Sequence, residues 1–188
     1  MENIVIDSFE TKNGVEVWVR PLLPQDAPYL VDLFEHMSAD SRYSRFHQPV
    51  NHLPPERVLA EAESIVHTSP QVGFIAFADL PDQPNAPVGV VRCVCVEEGV
   101  AETAVSVRDD MQNQGIGSHL LGLLVKEAQA RGVTKLLATI QSSNKSIIHI
   151  LNQMSYTYTR KSIGPDTELE LDITSLKPEA ATAGQSSF

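Results

Sequence analysis

The sequence predicts an α/β (α+β) fold, a central sheet flanked by helices, on three observations. Residues 101–107 read as a strand that enters a polar turn bearing Gly115 and Gly117. A helix then runs to about Arg131 with Leu121, Leu124, Val125 and Ala128 on one face. Asn13-Gly14 joins two extended runs, residues 5–11 and 15–20, as in a hairpin. Residues 134–140 are a continuous apolar run, as expected of a strand covered on both faces.

The other elements follow in order. Val15, Val17 and Val19 alternate with Glu16, Trp18 and Arg20, as on a sheet with two unlike faces. A helix follows Pro24-Gln25-Asp26. Asp26 suits its N-cap, Pro28 is tolerated in its first turn, and Leu30, Leu33, Phe34 and Met37 make its apolar face. Residues 54–66 predict a second helix burying Val58, Ala62, Ile65 and Val66. Between the two lies Ser41-Arg42-Tyr43-Ser44-Arg45-Phe46, whose arginines suit ion pairs with carboxylates and whose rings suit the core. Residues 72–79 and 88–96 read as long strands, with the Pro-, Asp- and Asn-rich residues 80–87 as an exposed loop. Residues 97–100 make a tight turn. After Gln141-Ser142-Ser143-Asn144 comes a helix with Ile147, Ile150, Leu151 and Met154 on one face. Residues 156–161 and 168–173 then pair across Gly164-Pro165. Beyond Pro178 the chain has too little apolar content to pack and is expected to be disordered.

The 188 residues suit one domain with a sizeable core. No apolar run reaches the length of a membrane span, and the first residues have neither a basic region nor an apolar one, so a cytoplasmic protein is expected. A net charge of −10 argues against broad nucleic-acid binding, which neutralises phosphates. It would favour the approach of cationic amines, or serve solubility alone. Cys93 and Cys95 point to one face of a strand, where a disulfide is geometrically poor; both read as reduced packing residues. The six histidines show no ligand spacing, and His119 and His149 are isolated on their helices; no metal site is expected.

The turn at residues 112–117, Gln-Asn-Gln-Gly-Ile-Gly, places unpaired helix N–H groups behind glycines, an arrangement suited to a phosphate. It is no P-loop, for no Lys follows Gly117. It is no dinucleotide fingerprint, for Leu120 stands at the third glycine position. Gln-x-x-Gly-x-Gly resembles the pyrophosphate loop of the GNAT N-acetyltransferase superfamily. Arg20-Pro21 before the first helix, Gly89-Val90-Val91, and Asn144 at a helix start resemble further parts of that family. Ser41-Arg42-Tyr43 with Arg45-Phe46, and Ala101-Glu102-Thr103-Ala104-Val105, resemble its branch of bacterial protein-lysine acetyltransferases.

The resemblance covers roughly residues 15–173. It implies a twisted, mixed but mostly antiparallel sheet of six to seven strands with about four helices. It divides the chain into a lead-in hairpin (1–14), a transferase domain (15–176) and a tail (177–188). It implies acetyl-CoA as co-substrate, with Val105, Ser106, Val107, Gln112, Asn113, Gln114, Gly115, Ile116, Gly117, Ser118 and Asn144 as its binding residues. The strand before the loop is splayed from the next, so its backbone bonds the pantetheine and an N–H polarises the thioester carbonyl. The first-helix to second-helix region borders the acceptor. Glu102 is the candidate base, sharing a strand face with Ala104 and Ser106.

The chain departs from the family's pattern in places. Thr139 stands where many relatives carry a Glu, and Leu151 where many carry a Tyr that protonates the departing thiolate. Ser155-Tyr156 replaces the usual Gly-Phe. Tyr156 and Tyr158 are candidate substitutes for the missing acid or, more simply, packed tyrosines. The implied activity is acetyl transfer to a primary amine, a small molecule or a protein lysine. The alternative is an acyl-CoA-binding module without turnover. A homodimer is allowed; no nucleic-acid or membrane partner is expected.

Overall fold

The computed structural model describes residues 4–38, 41–42, 54–69 and 71–177. Tyr43, Arg45, Phe46 and residues 178–188 of the expected tail lie outside them, whereas Lys177 is described and donates to the carbonyls of Leu151, Asn152 and Met154. The strands are β1 (Asp7–Glu10), β2 (Glu16–Pro21), β3 (Gln71–Leu80), β4 (Gln83–Glu97), β5 (Val100–Val107), β6 (Lys135–Gln141), β7 (Tyr156–Ile163) and β8 (Asp166–Leu176). The helices among the described residues are α1 (Ala27–Glu35), α2 (Pro55–His67), α3 (Ile116–Ala130) and α4 (Lys145–Gln153).

The strands form one sheet in the order β1-β2-β3-β4-β5-β6-β8-β7. The sheet is antiparallel throughout except where β5 runs parallel to β6. It has eight strands, not six to seven, because residues 7–10 pair with β2 as an edge strand.

Strand alternation sorts the apolar side chains onto two faces. Val17, Val19, Val91, Leu136 and Ile173 pack with Leu120 and Leu124 of α3. Ile75, Phe77 and Val90 pack with Leu30, Leu33 and Phe34 of α1 and with Ala62 and Ile65 of α2. Gly89 sets the depth of α3 on the sheet. A Cβ there would sit 3.1 Å from side-chain carbons of both Ile116 and Leu120.

Several local expectations change. Asp26 stands at the N-cap of α1 but does not cap it. Its carboxylate instead takes two hydrogen bonds from the Arg20 guanidinium, at 2.6 and 2.8 Å, and a third from the Leu23 N–H. The pair is almost wholly buried, with the guanidinium 4.8 Å from the centre of the Phe77 ring. Arg42 donates to the carbonyls of Phe34 and Glu35 at the end of α1, and pairs with no carboxylate among the described residues.

The expected loop at 80–87 is mostly strand, and only Pro81 and Asp82 form the turn. Pro84 and Pro87 fit because β5 begins to pair with β4 only at Gly89, leaving the earlier residues a single neighbour. Cys93 is buried, but Cys95, nearer the end of β4, is exposed. β6 is not covered on both faces: Leu136 and Ile140 are buried, whereas Thr139 is exposed.

Candidate active site

The one parallel ladder in the sheet is short. β5 and β6 pair at Val100–Lys135, Ala101–Leu136 and Glu102–Leu137, and no further. Beyond that rung β6 keeps β8 as its partner as far as Gln141, and β5 keeps β4 as far as Val107. The strands therefore part, and a cleft of about 840 Å³ opens between them. Its size lies within the range of small-molecule sites.

Hydrogen bonds alternate along an antiparallel ladder. The Arg108 N–H donates to the Val88 carbonyl at 3.2 Å, so Ser106 and Ala104, two and four residues earlier, also turn their backbones to β4. The N–H groups of Val105 and Val107 then point away from β4, across the opening, while that of Thr103 faces β6 at the last rung, Glu102–Leu137. Of the three strand residues expected to offer backbone, Val105 and Val107 turn their N–H groups to the opening and Ser106 turns its own to β4.

The floor of the cleft is the loop and the start of α3. Gly115 has φ of 94°, which favours glycine, and a Cβ there would meet nothing within 4 Å. Asn113, Gly115, Ile116, Gly117 and Ser118 line the cleft. Gln114 does not; its carbonyl accepts from the Lys12 N–H on the hairpin side. Gln112 lines the cleft but is already engaged. Its Nε2 lies 3.2 Å from the Val107 carbonyl and 3.0 Å from Asp109 Oδ1. It is a strut for the turn. Asp109 extends that brace to the end of α1, accepting from the Ser38 N–H and donating its own N–H to the His36 carbonyl. Arg108, buried, clasps Asp110 and Gln83 beneath the turn.

The far wall is the start of α4. Asn144 caps that helix, its Oδ1 accepting from the Ile147 N–H at 3.3 Å, so its amide group is what remains for a ligand. Leu151 is buried on this wall. Neither Tyr156 nor Tyr158 lines the cleft. The Tyr156 hydroxyl accepts from Gln129, and the Tyr158 hydroxyl donates to Asn152. They are not substitutes for the missing acid.

Glu102 is exposed, lines the cleft at its apex, and is the one carboxylate among the described lining residues. Its side chain shares a face with Ala104 and Ser106, the face that α1 and α2 cover. Arg92, opposite Ala104 on β4, is on that face too. Burial pulls its guanidinium below the ordinary value, against the fields of Glu61 and Glu102. Nothing in the spacing of the sequence pointed to Arg92. Among the described residues no cluster of three or more His, Cys, Asp or Glu could hold a metal.

Known proteins share this architecture and part of this sequence. The chain is 28% identical over 159 residues to the acetyltransferase Pat of Mycolicibacterium smegmatis, covering 82% of this chain and 45% of that protein. The chain thus spans less than half the length of that relative. The GNAT domain of S. lividans PAT superposes with a TM-score of 0.72 at 26% identity, over 88% of this chain and 96% of that one. The PaiA N-acetyltransferase of Thermoplasma acidophilum, solved in complex with coenzyme A, shares the fold with a TM-score of 0.61 at 16% identity, over 83% and 98%. The sequence model of the acetyltransferase (GNAT) family matches residues 30–156, well over half the chain, and the chain belongs to that family.

Proposed function

We propose that this chain is an N-acetyltransferase that moves an acetyl group from acetyl-CoA to a primary amine, a protein lysine being the acceptor to test first. The observation that carries the reading is the parting of β5 from β6 just past Glu102, above a glycine-bearing helix start. Acetyl-CoA, when bound, supplies an activated thioester. The loop N–H groups and the start of α3 suit its pyrophosphate. The N–H groups of Val105 and Val107 suit the amides of its pantetheine arm and the carbonyl of the thioester. The Asn144 amide faces the same cleft.

A lysine amine has a pKa of about 10.4, so roughly one in two thousand is neutral near pH 7. Glu102 takes the proton, directly or through a water, as the amine nitrogen attacks the carbonyl carbon. The C–N bond forms, the C–S bond breaks, and the sulfur leaves as thiolate. A thiol pKa of about 8.5 lets it leave without a dedicated acid, so Leu151 is tolerable on the wall.

Leu151 also supports a second reading, a module that binds acyl-CoA without turnover. Release of free thiol from acetyl-CoA, measured with a panel of amines and lysine peptides, separates the two. Release with at least one acceptor supports the transferase. Tight CoA binding with no release on any acceptor supports the module.

A further inference from the structure

We infer that the N-terminal hairpin completes the cofactor site, with Lys12 as the cation that meets a phosphate of CoA. This rests on the reading above that the cleft holds acetyl-CoA. The residues concerned lie before residue 30, outside the span matched by the family model.

Three contacts seat the hairpin against the loop. The Lys12 N–H donates to the Gln114 carbonyl at 3.3 Å. His119 Nε2, in the first turn of α3, lies 2.7 Å from Asp7 Oδ2. The His119 ring stacks on Phe9, with centroids 3.8 Å apart. His119 is therefore not the isolated surface histidine that the sequence suggested. The turn itself is fixed: the Thr11 N–H donates to the Val15 carbonyl, the Thr11 hydroxyl donates to Asn13 Oδ1 at 2.6 Å, and Gly14 takes φ of 83°. The backbone thus sets where Lys12 stands.

Lys12 lines the cleft alongside Asn113 and Gly115, is exposed, and makes no ion pair among the described residues. Among the described lining residues only Lys12 and Lys145 are lysines, and none is an arginine. CoA brings a pyrophosphate and a 3′-phosphate to a chain of net charge −10, so a cation at the loop has a specific electrostatic task. An ammonium on a flexible stem suits either phosphate.

The test compares CoA affinity of the full chain with those of Lys12→Gln and Lys126→Gln, by calorimetry at fixed low salt. Lys126 is exposed on α3 away from the cleft, so its variant matches the change in net charge. Lys12→Gln should weaken CoA about tenfold, the scale of one charged hydrogen bond, and Lys126→Gln should not. Dephospho-CoA, which lacks the 3′-phosphate, names the group. If Lys12 meets the 3′-phosphate, wild type and Lys12→Gln bind dephospho-CoA equally; if it meets the pyrophosphate, the tenfold gap persists. Equal CoA affinity of the two variants overturns the role of Lys12. Failure of the wild-type chain to bind CoA overturns instead the reading on which it rests.

Discussion

Glu102 and Leu137 form the last rung between β5 and β6. Past that rung the N–H groups of Val105 and Val107 have no strand to bond and face a cleft instead. The only carboxylate on the described cleft wall is thus fixed, by strand register, beside the first free N–H groups. A base and an oxyanion donor need that proximity. The register is set elsewhere: β8 holds β6 over seven residue pairs and β4 holds β5 over eight, so neither strand is free to close onto the other.

The loop makes a steric prediction. A Cβ at Gly117 would be 3.4 Å from Ile150 Cδ1 and 3.7 Å from Val107 Cγ2, ordinary contact distances. Gly117→Ala should therefore fold normally and bind CoA with little loss. Gly117→Asp adds a negative charge where the pyrophosphate should sit, a clash of like charges that costs several kcal/mol, so CoA affinity should drop about a hundredfold or more. Calorimetric titration with unchanged circular dichroism checks it; near-wild-type affinity of the Asp variant would remove the phosphate role of the loop.

The Arg20–Asp26 pair predicts stability. Both side chains are buried, and Asp26 accepts both guanidinium hydrogen bonds. Asp26→Asn leaves the Arg20 charge uncompensated inside the β2–α1 corner. The expected loss is about 3–5 kcal/mol, read from urea denaturation. A loss under about 1 kcal/mol, the range of surface pairs, would mean that water reaches the pair.

The cysteines should differ. Burial pushes the Cys93 thiol up to about 11, while Cys95 is exposed. An aromatic disulfide reagent at pH 8 should label Cys95 quickly and Cys93 only on unfolding. The sign of the linked stability follows. With its folded pKa raised from 9.0, Cys93 favours the fold fully below about pH 9, and that contribution is lost as pH rises from 9 towards 11. Rapid labelling of both thiols in the native protein would contradict the packing described for β4.

Much of this was legible in the sequence because it rests on local pattern. Asn13-Gly14, the period of two in residues 15–20, and the spacing of Leu121, Leu124 and Val125 each report their own element. The glycines at 115 and 117 report the loop. What could not be read depends on partners distant in sequence. Ser106 looked equivalent to Val105 until the β4 register assigned its backbone to the ladder. Gln112 looked like a ligand group until Val107 and Asp109 took its amide. Residues 80–87 looked like a loop because prolines usually exclude a central strand, and they fit only because β5 ends at Val107, opposite Gly89. Arg92 and Lys12 carry no motif at all; the fold alone brings them near Glu102 and the loop.

The central claim is that Glu102 accepts the proton of an amine attacking a thioester in the β5–β6 cleft. The most direct test is the pH dependence of kcat/KM for Glu102→Gln against wild type, with an acceptor found by the thiol-release panel. The substitution keeps size and hydrogen bonding but cannot take a proton. Because Glu102 is exposed, the fold should be unaffected. At neutral pH kcat/KM should fall by roughly 10²–10⁴, with CoA affinity unchanged, and the deficit should shrink as pH rises and more amine arrives neutral. A variant with only a raised acceptor KM would make Glu102 a binding group. Wild-type kcat and KM across about pH 6 to 10, the span of amine ionisation, would contradict the account outright.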